Sequence, residues 1–143
     1  DAPSSITRLV NIGIDPYLIA ASLNCVIAQR LVRKICPKCK EPYDVPERLQ
    51  KLLQESDIDS GDIYHGRGCE ACRNSGYSGR VGIYEMLTID DIFRKMINKD
   101  TSVNNMRKAF HENGCKTLFD DGLEKIKKGQ TTMEEILRVT QIN

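Results

Sequence analysis

Cys36-Pro37-Lys38-Cys39 and Cys69-Glu70-Ala71-Cys72, two short cysteine pairs with 29 residues between them, decide how this chain is read. Each pair sets two thiolates on one knuckle, and closing the intervening loop brings four soft ligands to one tetrahedral Zn²⁺ at roughly 2.3 Å. With Cys36, Cys39, Cys69 and Cys72 filling every position, no site remains for a reactive water or a substrate, so the metal is expected to be structural. A redox dithiol needs one pair rather than two. Two disulfides would suit a secreted scaffold, but no apolar signal segment opens the chain, and six cysteines in 143 residues fall below a disulfide-dense composition. Cys25 and Cys115 stand alone in apolar or helical sequence and are expected to be small buried hydrophobes.

A four-thiolate zinc site carries a net charge near −2 and is stabilised by nearby cations and N–H donors. Lys34, Lys38, Lys40, Arg67 and Arg73 all lie within two residues of a cysteine of the pairs. The same residues could form a basic patch for nucleic acid, yet Lys+Arg 21 against Asp+Glu 20 leaves a formal charge of only +1, and no aromatic residues alternate with the basic ones. Charge compensation at the metal is the better account. With 40% hydrophobic and 29% charged residues, the chain can bury one sizeable core or two small ones and fits a soluble cytoplasmic protein. No apolar run approaches the roughly 18–20 residues of a membrane span.

Outward from the cysteines, residues 25–35 are rich in Val, Ile and Leu, interleave with polar residues and read as a strand with one buried face. Before it come two helices. The first, over residues 3–12, carries Ile6, Leu9 and Val10, and the second runs from the Asp15-Pro16 start signal to about Ser22. Between the cysteine pairs, residues 46–55 place Leu49, Leu52 and Leu53 on one side of a short helix. Residues 56–62 are acidic and turn-rich, and residues 63–65 suggest a short strand. Gly76, Gly79 and Gly82 suit tight turns around the metal and lead into a strand over residues 81–86. Arg80 and Glu85 bracket that strand, the first expected beside the thiolates and the second fixing the strand against its neighbours. No Gly-Lys-Ser/Thr ending makes these glycines a phosphate cradle.

The last third reads as four capped helices forming a small bundle beside the zinc unit. Ile89, Ile92, Phe93, Met96 and Ile97 line the first. Residues 102–113 and 117–128 form the next two, ending at Gly114 and Gly129. Thr132-Met133-Glu134-Glu135 reads as a capping box opening the fourth.

Several stretches, in this order, are ones a known family shares: residues 1–9, Ala28-Gln29-Arg30-Leu31-Val32-Arg33 leading into the first cysteine pair, Gly68 to Cys72, Gly76-Tyr77-Ser78-Gly79-Arg80-Val81-Gly82-Ile83-Tyr84-Glu85, and the ending from Gly129 to Thr140. With them the whole chain closely resembles the C-terminal third of the type II secretion and type IV pilus assembly ATPases. The resemblance implies an α/β fold: the C-terminal portion of a RecA-like motor domain, with a tetracysteine zinc-binding insertion and a C-terminal helical bundle. Residues 1–35 would end the ATPase core, 36–86 would form the zinc element with its inserted helix and following strand, and 87–143 the C-terminal helical region. The resemblance also implies a hexameric motor, peripheral to the inner membrane, working with a membrane platform and cytoplasmic linker proteins. The charge balance, not the resemblance, is what speaks against a nucleic-acid partner.

The family's phosphate loop, Mg²⁺-holding acid, and aspartate and histidine boxes would all precede Asp1. ATP and Mg²⁺ are therefore expected only in the full-length parent, and these 143 residues are not expected to hydrolyse ATP. Two other readings belong to different classes. A zinc-ribbon module for nucleic acid would need a basic face with exposed aromatics. A chaperone-like tetracysteine module, which Cys69 to Gly79 loosely resembles, would need several glycine-cysteine repeats.

Overall fold

A computed structural model describes residues 1–56 and 63–140. The acidic stretch after Ser56 and the side chain of Leu52 lie outside the described residues. In chain order the elements are α1 (Ala2–Asn11), α2 (Pro16–Ser22), β1 (Cys25–Ile35), β2 (Lys40–Pro42), α3 (Glu47–Glu55), β3 (Tyr64–Gly66), a 3-10 turn (Glu70–Cys72), β4 (Tyr77–Thr88), α4 (Asp91–Lys99), α5 (Val103–Glu112), α6 (Leu118–Lys127) and α7 (Met133–Val139). β1 pairs with β4, and β2 pairs with β3. The chain divides into two compact units, residues 1–29 with 84–118 and residues 30–83 with 119–143.

In the first unit, local capping starts the helices. The Asp1 carboxylate accepts the Ser4 N–H at 2.8 Å, and that of Asp15 accepts the Tyr17 N–H at 2.7 Å. At α4 the Asp90 carboxylate takes the N–H groups of Ile92 and Phe93, both at 3.0 Å. The core gathers Ile6, Ile19, Leu87, Phe93, Ile97, Met106 and Phe110. α2 packs on α4, and α1 packs on α5. Ile92, expected inside, is 55% exposed, because Ile89, Phe93 and Ile97 take the core side at four-residue spacing. Cys25, also expected inside, is exposed. It belongs to the outward row of β1 with Ile27, whereas Val26 and Ala28 point toward the core.

Glu85 ties this unit together. Its carboxylate, 4% exposed, accepts the Ala2 N–H at 2.7 Å through Oε1 and the Leu118 N–H at 3.2 Å through Oε2. One strand residue thus satisfies a free N–H in the first turn of α1 and another at the start of α6, donors that no helix can serve from within.

In the second unit, β2 and β3 run antiparallel with Lys40 opposite Gly66, Glu41 opposite His65 and Pro42 opposite Tyr64. Buried apolar side chains here include Val32, Ile35, Val45, Leu49, Leu53, Ile63, Ile83, Ile126 and Ile136. α6 and α7 therefore differ from the single C-terminal bundle expected: apart from Leu118 they belong to this unit, while α4 and α5 belong to the first.

The capping box at α7 is half formed. Thr132 does cap the helix, its hydroxyl accepting the Glu135 N–H at 3.4 Å. The Glu135 carboxylate, 1% exposed, turns instead to two arginines. It accepts the Arg33 backbone N–H at 2.9 Å and the Arg33 guanidinium at 2.7 Å. Nε and Nη2 of Arg138 reach it at 2.9 and 2.8 Å. The Thr131 hydroxyl donates to the Arg33 carbonyl at 2.8 Å, so the end of β1 is stitched to the α6–α7 connection. Burial alone would raise the Glu135 carboxyl, but the hydrogen bonds from Arg138 and Arg33 outweigh it and hold the group down at about 2.

Two predictions follow from these carboxylates. Glu85→Ala should lower stability by about 3 kcal/mol in urea denaturation, because two buried N–H donors lose a charged acceptor. A change below about 0.5 kcal/mol would make Glu85 an ordinary surface charge. Glu135→Gln should cost about 3 kcal/mol at neutral pH. Since the folded carboxyl titrates below its ordinary 4.5, the stability it supplies is present above that value and is lost as pH falls toward about 2. The wild-type advantage over Glu135→Gln should therefore shrink in denaturation curves taken at stepwise lower pH. A gap that stays constant through the window would contradict the assignment.

Candidate metal centre

The cysteines sit where backbone turns meet. Cys36 follows β1, Cys39 precedes β2, Cys69 caps the short 3-10 turn and Cys72 is its last residue. Within the first knuckle the Cys39 N–H donates to the Cys36 carbonyl at 3.3 Å, and within the second the Cys72 N–H donates to that of Cys69 at 3.1 Å. Two further bonds lock the knuckles together, Cys36 N–H to the Gly76 carbonyl at 2.9 Å and Arg67 N–H to the Cys39 carbonyl at 3.0 Å.

Gly66 and Gly76 make that approach possible. A Cβ on Gly66 would fall onto the Gly76 carbonyl oxygen, and one on Gly76 onto the Gly66 carbonyl oxygen. Gly76 also has φ +75°, in the left-handed region that other residues rarely adopt. Just before it the chain passes through Arg73 and Asn74, both left-handed at φ 52° and 58°. These turns aim N–H groups at sulfur. Cys39 Sγ accepts from Gly68 at 3.3 Å, and Cys72 Sγ accepts from Cys69 at 3.2 Å and Gly76 at 3.3 Å.

Cys36, Cys39 and Cys72 are buried and Cys69 is half-buried. Their four Sγ atoms all lie within 4.8 Å of one another. Cys36 to Cys69 measures 4.0 Å, Cys39 to Cys72 3.9 Å and Cys69 to Cys72 3.7 Å. A tetrahedron with metal–sulfur bonds of about 2.3 Å has edges of about 3.8 Å. A disulfide would need about 2.05 Å. The donor set therefore fits a four-thiolate metal ion, with no open coordination position for substrate chemistry.

Two of the thiols are shifted in opposite directions. Burial opposes ionisation of Cys72, but the N–H donors of Cys69 and Gly76 and the neighbouring thiols bring it down to about 6. Cys39 is pushed up to about 12, by burial first and by the adjacent sulfurs next, against the Gly68 N–H. Amide donors thus favour the thiolate form at Cys72, while burial disfavours it at Cys39.

All four sequence-derived ligands are brought together. Among the described residues none of the basic side chains expected around them is hydrogen-bonded to a sulfur, and the Lys40 ammonium lies 4.1 Å from the Tyr64 ring centroid. Arg80, expected beside the thiolates, lines a groove with Leu31, Arg33 and Arg138. The groups that donate to the sulfurs are the backbone amides of Gly68, Cys69 and Gly76, and only the glycines of the sequence hint at them.

Comparison with known proteins completes the picture. The family model described as Type II/IV secretion system protein matches residues 1–138. The chain is 40% identical to the type II secretion system ATPase E of Vibrio cholerae over 140 residues, which is 98% of this chain and 28% of that protein. Type II secretion system protein E of Pseudomonas aeruginosa is 43% identical over 98% of this chain and 28% of its own length. For the type IV pilus assembly ATPase PilB of Thermus thermophilus the identity is 43%, over 98% of this chain and 16% of that protein. The chain thus spans between 16% and 28% of the length of these curated relatives.

Titration with Co²⁺ should give the visible bands and intense thiolate-to-metal charge-transfer absorption of a tetrahedral four-sulfur site, saturating at one equivalent per chain. Gly76→Ala should weaken metal affinity about 10–100-fold by spoiling the backbone that supports the sulfurs. Octahedral cobalt spectra, or unaltered affinity in Gly76→Ala, would contradict the geometry.

Proposed function

This chain belongs to the type II/IV secretion system protein family, and from that premise we propose that it is the C-terminal, zinc-bearing part of a hexameric cytoplasmic ATPase that drives protein secretion or pilus assembly at the inner membrane. The observation that carries the reading is the match over residues 1–138, together with relatives named as secretion and pilus assembly ATPases over nearly the whole chain. Relatives of the two kinds are equally similar, 40–43% identical, so the reading covers both machines. In this reading residues 1–35 close a RecA-like core, 36–86 form the zinc element and 87–143 the C-terminal helical region. No helix among the described residues is long and apolar enough to cross a membrane, which suits a motor held at the membrane through a platform and linker proteins.

Zn²⁺ would be held by Cys36, Cys39, Cys69 and Cys72. When bound it supplies cross-linking rather than chemistry, because four thiolates leave no vacancy. The chain's own residues do the rest: Gly66 and Gly76 let the knuckles touch, and the amides of Gly68, Cys69 and Gly76 neutralise sulfur charge. No Gly-Lys-Ser/Thr sequence occurs in the 143 residues. ATP and Mg²⁺ are accordingly assigned to the remainder of the parent motor, and this chain alone is proposed to be inactive.

The test compares the full-length parent with its Cys36→Ser variant for zinc content, oligomeric state, ATP turnover and secretion or pilus output. Loss of zinc with a fall in both assembly and turnover is expected, and the isolated chain should release no phosphate from ATP. Full output from a zinc-free parent would reject the structural role, and ATP hydrolysis by the isolated chain would reject the division of labour.

A further inference from the structure

Leu31, Arg33, Arg80 and Arg138 line an open groove of about 490 Å³ in the second unit. Two of its three arginines are fixed in place. Arg33 is held by Glu135 and lies 4.1 Å from the centroid of the Tyr77 ring, while Arg138 grips the same carboxylate with Nε and Nη2. Both remain about half exposed, so their outer N–H groups face the groove's solvent. Arg80 has no hydrogen-bond or ion-pair partner among the described residues and offers its whole fork. Glu134, the next carboxylate along α7, is engaged by the Tyr43 hydroxyl at 3.3 Å.

The charge does not balance. Among the described residues two of the three guanidinium groups share one buried carboxylate and Arg80 pairs with none, which leaves a surplus of two positive charges on one groove. Glu135 already takes one fork from Arg138 and further donors from Arg33, so its own lone pairs are filled and it leaves Arg80 unpaired. Donors from three separate arginines suit a tetrahedral oxyanion, and a surplus of two matches a phosphoryl dianion. We propose that the groove lined by Arg33, Arg80 and Arg138 is a binding site for a phosphate group, with Arg80 as its free ligand-gathering arm. It is separate from the cysteine centre and makes no use of the metal.

The experiment uses the whole metal-loaded chain with inorganic phosphate as probe, at ionic strength matched with chloride. Arginine Nε–Hε NMR signals of Arg33, Arg80 and Arg138 should shift in a saturable way. Arg80→Gln removes a side chain that holds nothing in place, so its melting temperature and metal content should be unchanged, while phosphate affinity falls about tenfold. Vesicles of phosphatidic acid, a phosphomonoester lipid, in phosphatidylcholine distinguish the source. If they retain wild-type chain but not Arg80→Gln, and phosphate competes, the group is a lipid headgroup. If phosphate binds and vesicles do not, it is a soluble phosphate, and either result upholds the proposal. It is overturned if neither probe separates wild type from Arg80→Gln, or if polyglutamate binds in an Arg80-dependent way while phosphate does not, which would make the groove a dock for a protein carboxylate.

Discussion

Sulfur–sulfur repulsion is the constraint around which residues 36–76 are organised. Two thiolates about 4 Å apart repel by about 4 kcal/mol even at an effective dielectric of about 20, and the Sγ atoms of Cys69 and Cys72 stand at 3.7 Å. Such a cluster is stable as four thiolates only around a cation. The backbone has been shaped to the same end: Gly66 and Gly76 touch through their main chains, and three amides point at sulfur instead of at carbonyl oxygen. Those amides lower the charge felt by the cluster without lengthening any side chain. The two segments, far apart in sequence, are thereby closed into one knuckled unit whose strands β2 and β3 are only three residues each.

Outside that unit, two buried carboxylates carry the organisation. Glu85 in the first unit and Glu135 in the second each bind groups remote in sequence, Ala2 in one case and Arg33 in the other. A buried charge is costly unless fully paired, and both are: one by backbone amides, the other by two guanidinium groups and an amide. Their effect is positional. Glu85 fixes where α1 begins relative to β4, and Glu135 fixes where β1 ends relative to α7.

The sequence makes the parts with local rules legible. The strand over residues 25–35 has those bounds because branched apolar residues, ended by Cys36-Pro37, leave little choice. The four ligands follow from their spacing alone. What escapes is long-range. A Thr-x-x-Glu pattern at residues 132–135 reads as a capping box, yet the glutamate finds arginine partners, one of them 102 residues away in sequence, and no local rule weighs that competitor. β2 is hidden because it is short, half-exposed and ends in proline. β4 begins at Tyr77, earlier than its apolar alternation suggests, since Gly79 with φ +75° interrupts the pattern. Cys25 is outward because strand parity, rather than residue type, decides its side. The separation of α4 and α5 from α6 and α7 is equally invisible, as all four carry similar apolar stripes and differ only in what those stripes meet.

Zinc K-edge X-ray absorption on the chain purified with its metal tests the central claim most directly, because it reads the ligand atoms themselves. The account predicts a single shell of four sulfurs at about 2.3 Å with no nitrogen or oxygen scatterer. A first shell containing nitrogen or oxygen near 2.0 Å, or fewer than four sulfurs, would contradict it: the cysteine cluster would then hold an open site rather than a closed structural one.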